Sequence, residues 1–187
     1  MGSWEKAIRG AFNIYNYGLP LAIAHVLMKP NSNYIEEMVE LAYSLGAAKF
    51  VCDHFLATGR AYDNKGHLEL NIKEISQAYT TLEKKQKEYQ DKMLIRIGID
   101  PAFYLRIRML EPSQVLLVRP NGDVKIDCVM PFVLGNIQET SILDIWDQKG
   151  KHIWKYRAIR QFINQTRWGE NLNSVTPIPY VDNDIAI

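Results

Sequence analysis

Apolar residues at Trp4, Ala7, Ile8, Ala11, Phe12 and Tyr15 recur at three- and four-residue spacing, which predicts a first helix capped by Ser3 and stopped at Tyr17-Gly18-Leu19-Pro20. Leu19 to Met28 then reads LPLAIAHVLM, apolar except for His25, the pattern of a parallel strand covered on both faces. Asn33-Tyr34-Ile35-Glu36 has capping-box spacing, and Ile35, Met38, Val39, Ala42 and Leu45 form one stripe that ends at Gly46. A second buried run follows in Lys49 to Leu56, KFVCDHFL. Asn71-Ile72-Lys73-Glu74 is another capping box, opening a helix with Ile72, Ile75, Ala78, Tyr79 and Leu82 on its apolar side and a solvated charged face from Glu83 to Glu88. Met93 to Ile99, MLIRIGI, is the third buried run. Strand, helix, strand implies right-handed crossovers and therefore a parallel sheet.

After Pro101 the texture changes. VLLV, then Arg119-Pro120-Asn121-Gly122-Asp123, then VKI is a hairpin signal, with Asn-Gly supplying the positive-φ turn. Beyond Gly135-Asn136-Ile137, Ser141 caps a short helix that turns Ile142, Ile145 and Trp146 inward. The stretch from Asn164 is polar and carries Pro177 and Pro179, so it reads as irregular. Three segments result: an α/β unit over 1–100, a small hairpin-led unit over 101–163 and a tail over 164–187.

The composition suits a globular chain. Of 187 residues, 47% are apolar, and 22 basic side chains nearly cancel 21 acidic ones, so no global field attracts nucleic acid. No apolar run approaches the ~18 residues of a membrane span. Two distant cysteines, Cys52 and Cys128, form no disulfide framework, and the first residues lack signal-peptide features. The compartment expected is cytoplasmic.

Isolated chemistry is sparse. Cys52 and His54 share a strand face while Asp53 takes the other, which is core packing unless further metal ligands join them. His25, His67 and His152 stand in separate settings and form no triad. Asn31, in Lys29-Pro30-Asn31, lies where a strand ends, and Arg60, in Thr58-Gly59-Arg60-Ala61, follows the next strand. Barrel enzymes place their chemistry at such strand ends. Asn31 otherwise introduces the next helix, and Arg60 otherwise joins a surface ion pair.

The succession of a buried strand, Lys29-Pro30-Asn31, a helix ending in Leu45-Gly46-Ala47, a strand, Thr58-Gly59-Arg60-Ala61, a helix, a strand, Pro120-Asn121-Gly122-Asp123-Val124, Cys128, Gly135-Asn136-Ile137 and Ser141-Ile142-Leu143-Asp144-Ile145-Trp146 resembles radical S-adenosylmethionine enzymes with a SPASM or related C-terminal domain. The resemblance covers roughly Gly2 to Arg160. It implies a partial (β/α) barrel of about three strands with flanking helices, followed by a SPASM-like domain. In that family Asn31 and Arg60 occupy positions that face the cofactor.

The same resemblance exposes what is missing. The family holds its reactive iron-sulfur cluster in a CxxxCxxC loop, which this sequence lacks, and two cysteines are too few for a cubane. The chain alone is therefore expected to bind no cofactor and to be catalytically incomplete. S-adenosylmethionine and a cluster belong to a complete relative. Gly122 and Cys128 also have five residues between them where SPASM domains have four, so Cys128 is expected to pack as a small buried hydrophobe. By this alignment Met1 opens a truncated or split protein. Its first strand then offers an open apolar edge to a missing N-terminal barrel half or to a second copy. A cluster-free module that binds a peptide or partner is the alternative function.

Overall fold

The computed structural model describes residues 2–56, 61, 64–98, 101–110, 115–128, 130–165 and 185–187. The chain divides into two compact units, one of Met1–Phe55 with Lys65–Ile99, the other of Leu56–Asn64 with Asp100–Ile187.

The first unit is built on a parallel sheet of three strands, β1 (Leu21–Leu27), β2 (Ala47–His54) and β3 (Leu94–Ile97), in that order. Helix α1 (Ser3–Asn16) precedes β1. A 3-10 turn (Ser32–Tyr34) and α2 (Ile35–Ser44) join β1 to β2, and α3 (Lys65–Leu68) and α4 (Ile72–Glu88) lead to β3. Register puts Ile23, His25 and Leu27 beside Phe50, Cys52 and His54, with Ile95 and Ile97 next in line. That face meets the Val39 and Ala42 side of α2 and the Ala78 and Leu82 side of α4 to form the core. Phe50 is completely buried there, so its truncation to Ala costs about 3–5 kcal/mol.

The expectation that the first strand is covered on both faces is not met. Ala22, Ala24 and Val26 are exposed on the opposite face, as is Leu94 of β3. A continuous apolar run fixes the strand but not how many layers cover it. The strand's free side is also an edge. Here an apolar groove of about 360 Å³ lies between Ile8 and Ile14 of α1, Leu21 to Ala24 of β1, and Met38 of α2.

Local signals were met in part. Asn71 makes the full capping box, accepting from the Glu74 N–H at 3.0 Å while Glu74 accepts from the Asn71 N–H at 2.8 Å. The box expected at Asn33 does not form, because the 3-10 turn places Asn33 inside a helical turn and Glu36 reaches Lys85 instead, at 2.8 Å. Gly2, not Ser3, is the N-cap of α1. Nor is the stretch from Glu83 to Glu88 wholly solvated. Lys85 is 2% exposed and its ammonium contacts Glu36 and Glu40 at 2.8 Å and Glu88 at 3.3 Å, tying α2 to α4.

The second unit opens with α5 (Pro101–Leu110), for which the sequence reading assigned no helix. The antiparallel hairpin β4 (Leu117–Val118) and β5 (Asp123–Lys125) follows as expected, with Gly122 at φ +91° in its turn. After β6 (Phe132–Val133), β7 (Gly135–Asn136) adds to β5. Ser141 caps α6 (Ile142–Gln148) by accepting the Asp144 N–H at 3.1 Å; Ile145 turns inward, whereas Ile142 stays 43% exposed. A 3-10 segment (Gly150–Lys155) leads into α7 (Arg157–Gln165), whose Ile159 and Ile163 are fully buried beside Leu105, Val124, Leu134 and Ile153. Asn164 and Gln165 thus close a helix. Ile185–Ala186 forms β8, parallel to β6, so these two short pieces of the expected irregular tail are regular; 166–184 lie outside the described residues. Among the described residues no helix is long and apolar enough to cross a membrane.

Candidate functional site

The parallel sheet gathers its chemistry where its strands end. Asn31 closes the end of β1: its Oδ1 accepts the Met28 N–H at 2.8 Å and its Nδ2 donates to the Val26 carbonyl at 2.9 Å. A loop asparagine thereby satisfies backbone groups that an edge strand leaves unpaired. Its side chain also hydrogen-bonds His25, which stacks on Phe50 with ring centroids 6.0 Å apart. Burial holds the His25 pKa below 6.5, the Asn31 bond opposing, and the buried Nε2 has no partner. Arg60, the second position named from sequence, lies outside the described residues.

Cys52 sits beside His25 in register, buried, its thiol pushed up to about 12 by burial and then by the charge of Asp53. A thiol of that kind is neither a nucleophile nor a ready metal ligand at neutral pH. His54, on the same face, shares a hydrogen bond with the Tyr79 hydroxyl.

The opposite, exposed face carries a pair that the sequence reading did not single out. Arg96 Nη2 lies 3.6 Å from Asp53 Oδ1, both side chains about half exposed. Next to it the Gly98 N–H donates to the Cys52 carbonyl at 2.6 Å, and a Cβ at Gly98 would fall 2.8 Å from Asp53 Oδ1 and 2.9 Å from its Cα. Glycine there lets the chain leave β3 tight against β2. The period-two alternation Lys49, Val51, Asp53 was a legible signal for a polar position on this face.

In the second unit the hairpin turn is held by amides and one carboxylate. Asn136 Nδ2 donates to the Asn121 carbonyl at 3.0 Å and to Asp123 Oδ1 at 3.1 Å, while its Oδ1 accepts the Gln138 N–H at 2.9 Å. The scaffold ends at Cys128, which is exposed, contrary to the buried packing expected of it. The strand has already ended: β5 stops at Lys125, Val124 to Asp127 are all buried, and Cys128 stands at a bend beyond them where the chain returns to the surface. Partial burial and the Asp127 charge raise the thiol's pKa, so it is not an activated nucleophile.

Along the chain a small hairpin-led unit follows the parallel strands and their helices. Residues 110–171 match the family model of SPASM, the iron-sulfur cluster-binding domain. Together with the three parallel strands, this match supports a C-terminal, SPASM-like portion of a radical S-adenosylmethionine enzyme. Among individual proteins, the chain is similar to a PqqA peptide cyclase of Methylobacterium sp. (strain 4-46), 23% identical over an alignment of 137 residues that covers 69% of this chain. The chain spans about a third of the relative's length, 36%.

The residues present do not fit the cluster that names the domain. The matched range contains a single cysteine, Cys128, and the other cysteine of the chain, Cys52, is a buried core residue of the other unit. Cubane clusters require three or four thiolates. Among the described residues no group of three or more His, Cys, Asp or Glu is placed to hold a metal ion.

Proposed function

We propose that this chain is the C-terminal share of a radical S-adenosylmethionine enzyme of the peptide-modifying or cofactor-maturing type, catalytically incomplete by itself. The observation that carries the reading is the succession, in one chain, of three parallel strands with covering helices and a SPASM-matching unit. Supporting it are the exposed second face of the sheet and the free edge of β1, the two surfaces that further strands of a barrel would cover. In a complete enzyme S-adenosylmethionine and a cluster supply the radical chemistry. The share of this chain is to bind and orient. Asn31 shapes the end of β1 that faces the cofactor, Arg60 is the cation offered to a carboxylate, and the exposed sheet face, where Val26, Val51 and Leu94 stand beside the Arg96–Asp53 pair, lines the enclosed space. The missing strands come from a separate N-terminal half or, in the absence of one, the edge pairs with a second copy.

The test is to mix the purified chain anaerobically with a polypeptide that carries CxxxCxxC and the first barrel strands, reconstitute with iron and sulfide, and assay cleavage of S-adenosylmethionine. A stable complex with reductive cleavage is expected, and none from this chain alone. No complex and no cleavage would sink the enzyme reading. Retention of peptide binding would then leave the alternative, a cluster-free binding module that uses the β1 edge for strand addition.

A further inference from the structure

The chain's near-neutral total conceals one lopsided segment. From Lys149 to Arg160 stand five basic residues, Lys149, Lys151, Lys155, Arg157 and Arg160, and no acidic one; without them 17 basic residues face 21 acidic ones. Two of the five are engaged, Lys151 with Asp147 at 3.0 Å and Lys149 with the Ile187 carbonyl. Lys155, Arg157 and Arg160 are exposed and make no ion pair or side-chain hydrogen bond among the described residues, and His152 is exposed beside them. Stability does not explain the arrangement. Arg157 and Arg160 occupy the first turn of α7, which contains no acidic residue, and cations at that end of a helix are unfavourable by about 0.3–1 kcal/mol each.

We infer that this surface, the 3-10 segment with the outer side of α7, docks an acidic stretch of a peptide. The inference deepens the peptide-modifying reading and rests on it for the biological role. Guanidinium groups grip carboxylates in a two-pronged geometry. Arg157 and Arg160, one turn apart, have Cβ atoms roughly 5–6 Å from each other. The ~6.6–6.8 Å between alternate side chains of an extended peptide is wider by roughly 1 Å, a difference the long arginine side chains can span. Lys155, eclipsed with His152 in the 3-10 segment, extends the positive surface. Other anionic partners fit less well. Among the described residues of this surface, Trp154 is 5% exposed and Tyr156 is half-buried, so neither offers an open ring face for stacking bases. The apolar side of α7, Ile159 and Ile163, lies wholly inside the unit, so no apolar face remains to enter a lipid surface.

The experiment is fluorescence anisotropy of the whole chain with a labelled peptide in which Glu and Asp alternate with Gly and Ser, against its Gln/Asn isostere. The acidic peptide binds, its affinity falls as salt rises, and Arg157→Glu with Arg160→Glu weakens it about tenfold or more. The same reversal leaves the circular-dichroism melt unchanged or raises it, since acidic residues suit a helix N-terminus, which separates lost docking from lost folding. Equal binding of the isostere, indifference to the double reversal, or tighter binding of single-stranded nucleic acid or phosphatidylserine vesicles overturns the inference. If the acidic peptide binds but no assembled enzyme cleaves S-adenosylmethionine, the functional reading fails and the docking surface stands. If cleavage is found without acidic preference, the docking surface alone fails.

Discussion

Replacing Lys85 by Met removes one charge from the clamp between α2 and α4 while keeping most of the apolar stem. The ammonium is nearly inaccessible and meets three carboxylates at 2.8, 2.8 and 3.3 Å. Breaking a fully buried ion pair costs about 3–5 kcal/mol. Here the carboxylates are half exposed, at 47%, 52% and 46%, and turn to water once freed, so the cost falls to about 1–3 kcal/mol. Glu36 and Glu40, left one turn apart without their cation, also repel each other. Lys85→Ala adds the loss of two to three packed methylenes, about 2 kcal/mol more. The sign with pH follows from the shifts. Bonds to the three glutamates hold the Lys85 pKa above 10.5 against the opposing effect of burial, so its contribution is complete below 10.5 and lost only as pH rises through the folded value. Lys85 holds the Glu36 pKa below 4.5, so that share is present above 4.5 and lost as pH falls through the folded value. Urea unfolding of wild type and Lys85→Met should therefore differ by a constant amount at neutral pH and converge in acid. A difference under ~0.5 kcal/mol at neutral pH, or one that widens in acid, refutes the reasoning.

Three further outcomes are expected. Gly122→Ala forces a side chain into φ +91° with its Cβ 2.4 Å from Asn136 Oδ1, and should lower stability by about 1–3 kcal/mol in thermal melts, with partial rescue by Asn136→Ala. Under native conditions a thiol reagent should label exposed Cys128 and spare Cys52 until urea is added; equal rates would contradict the placement. Because burial lowers the His25 pKa, the unfolded chain binds the proton first. Stability should decline as pH falls below 6.5 toward the folded value, a slope that calorimetry should find flattened in His25→Phe.

Sequence alone determined what depends on neighbours along the chain. Helical stripes, the Asn71 capping box, the Asn121-Gly122 turn and the three apolar runs are legible because backbone preference and periodicity act over a few residues. The stripe of α7 was equally present in Ile159, Phe162 and Ile163, but its short length beside polar residues hid it. Tertiary structure decided everything that requires a distant partner. Glu36 chose Lys85 over a local cap because a buried cation attracts it more strongly than an exposed backbone N–H. A bend beyond β5 brought Cys128 to the surface, and register set Arg96 beside Val51, within reach of Asp53 on the same face. Pattern reports which residues avoid water; only the folded chain fixes what each meets instead, because that choice is settled by contacts between residues far apart in sequence.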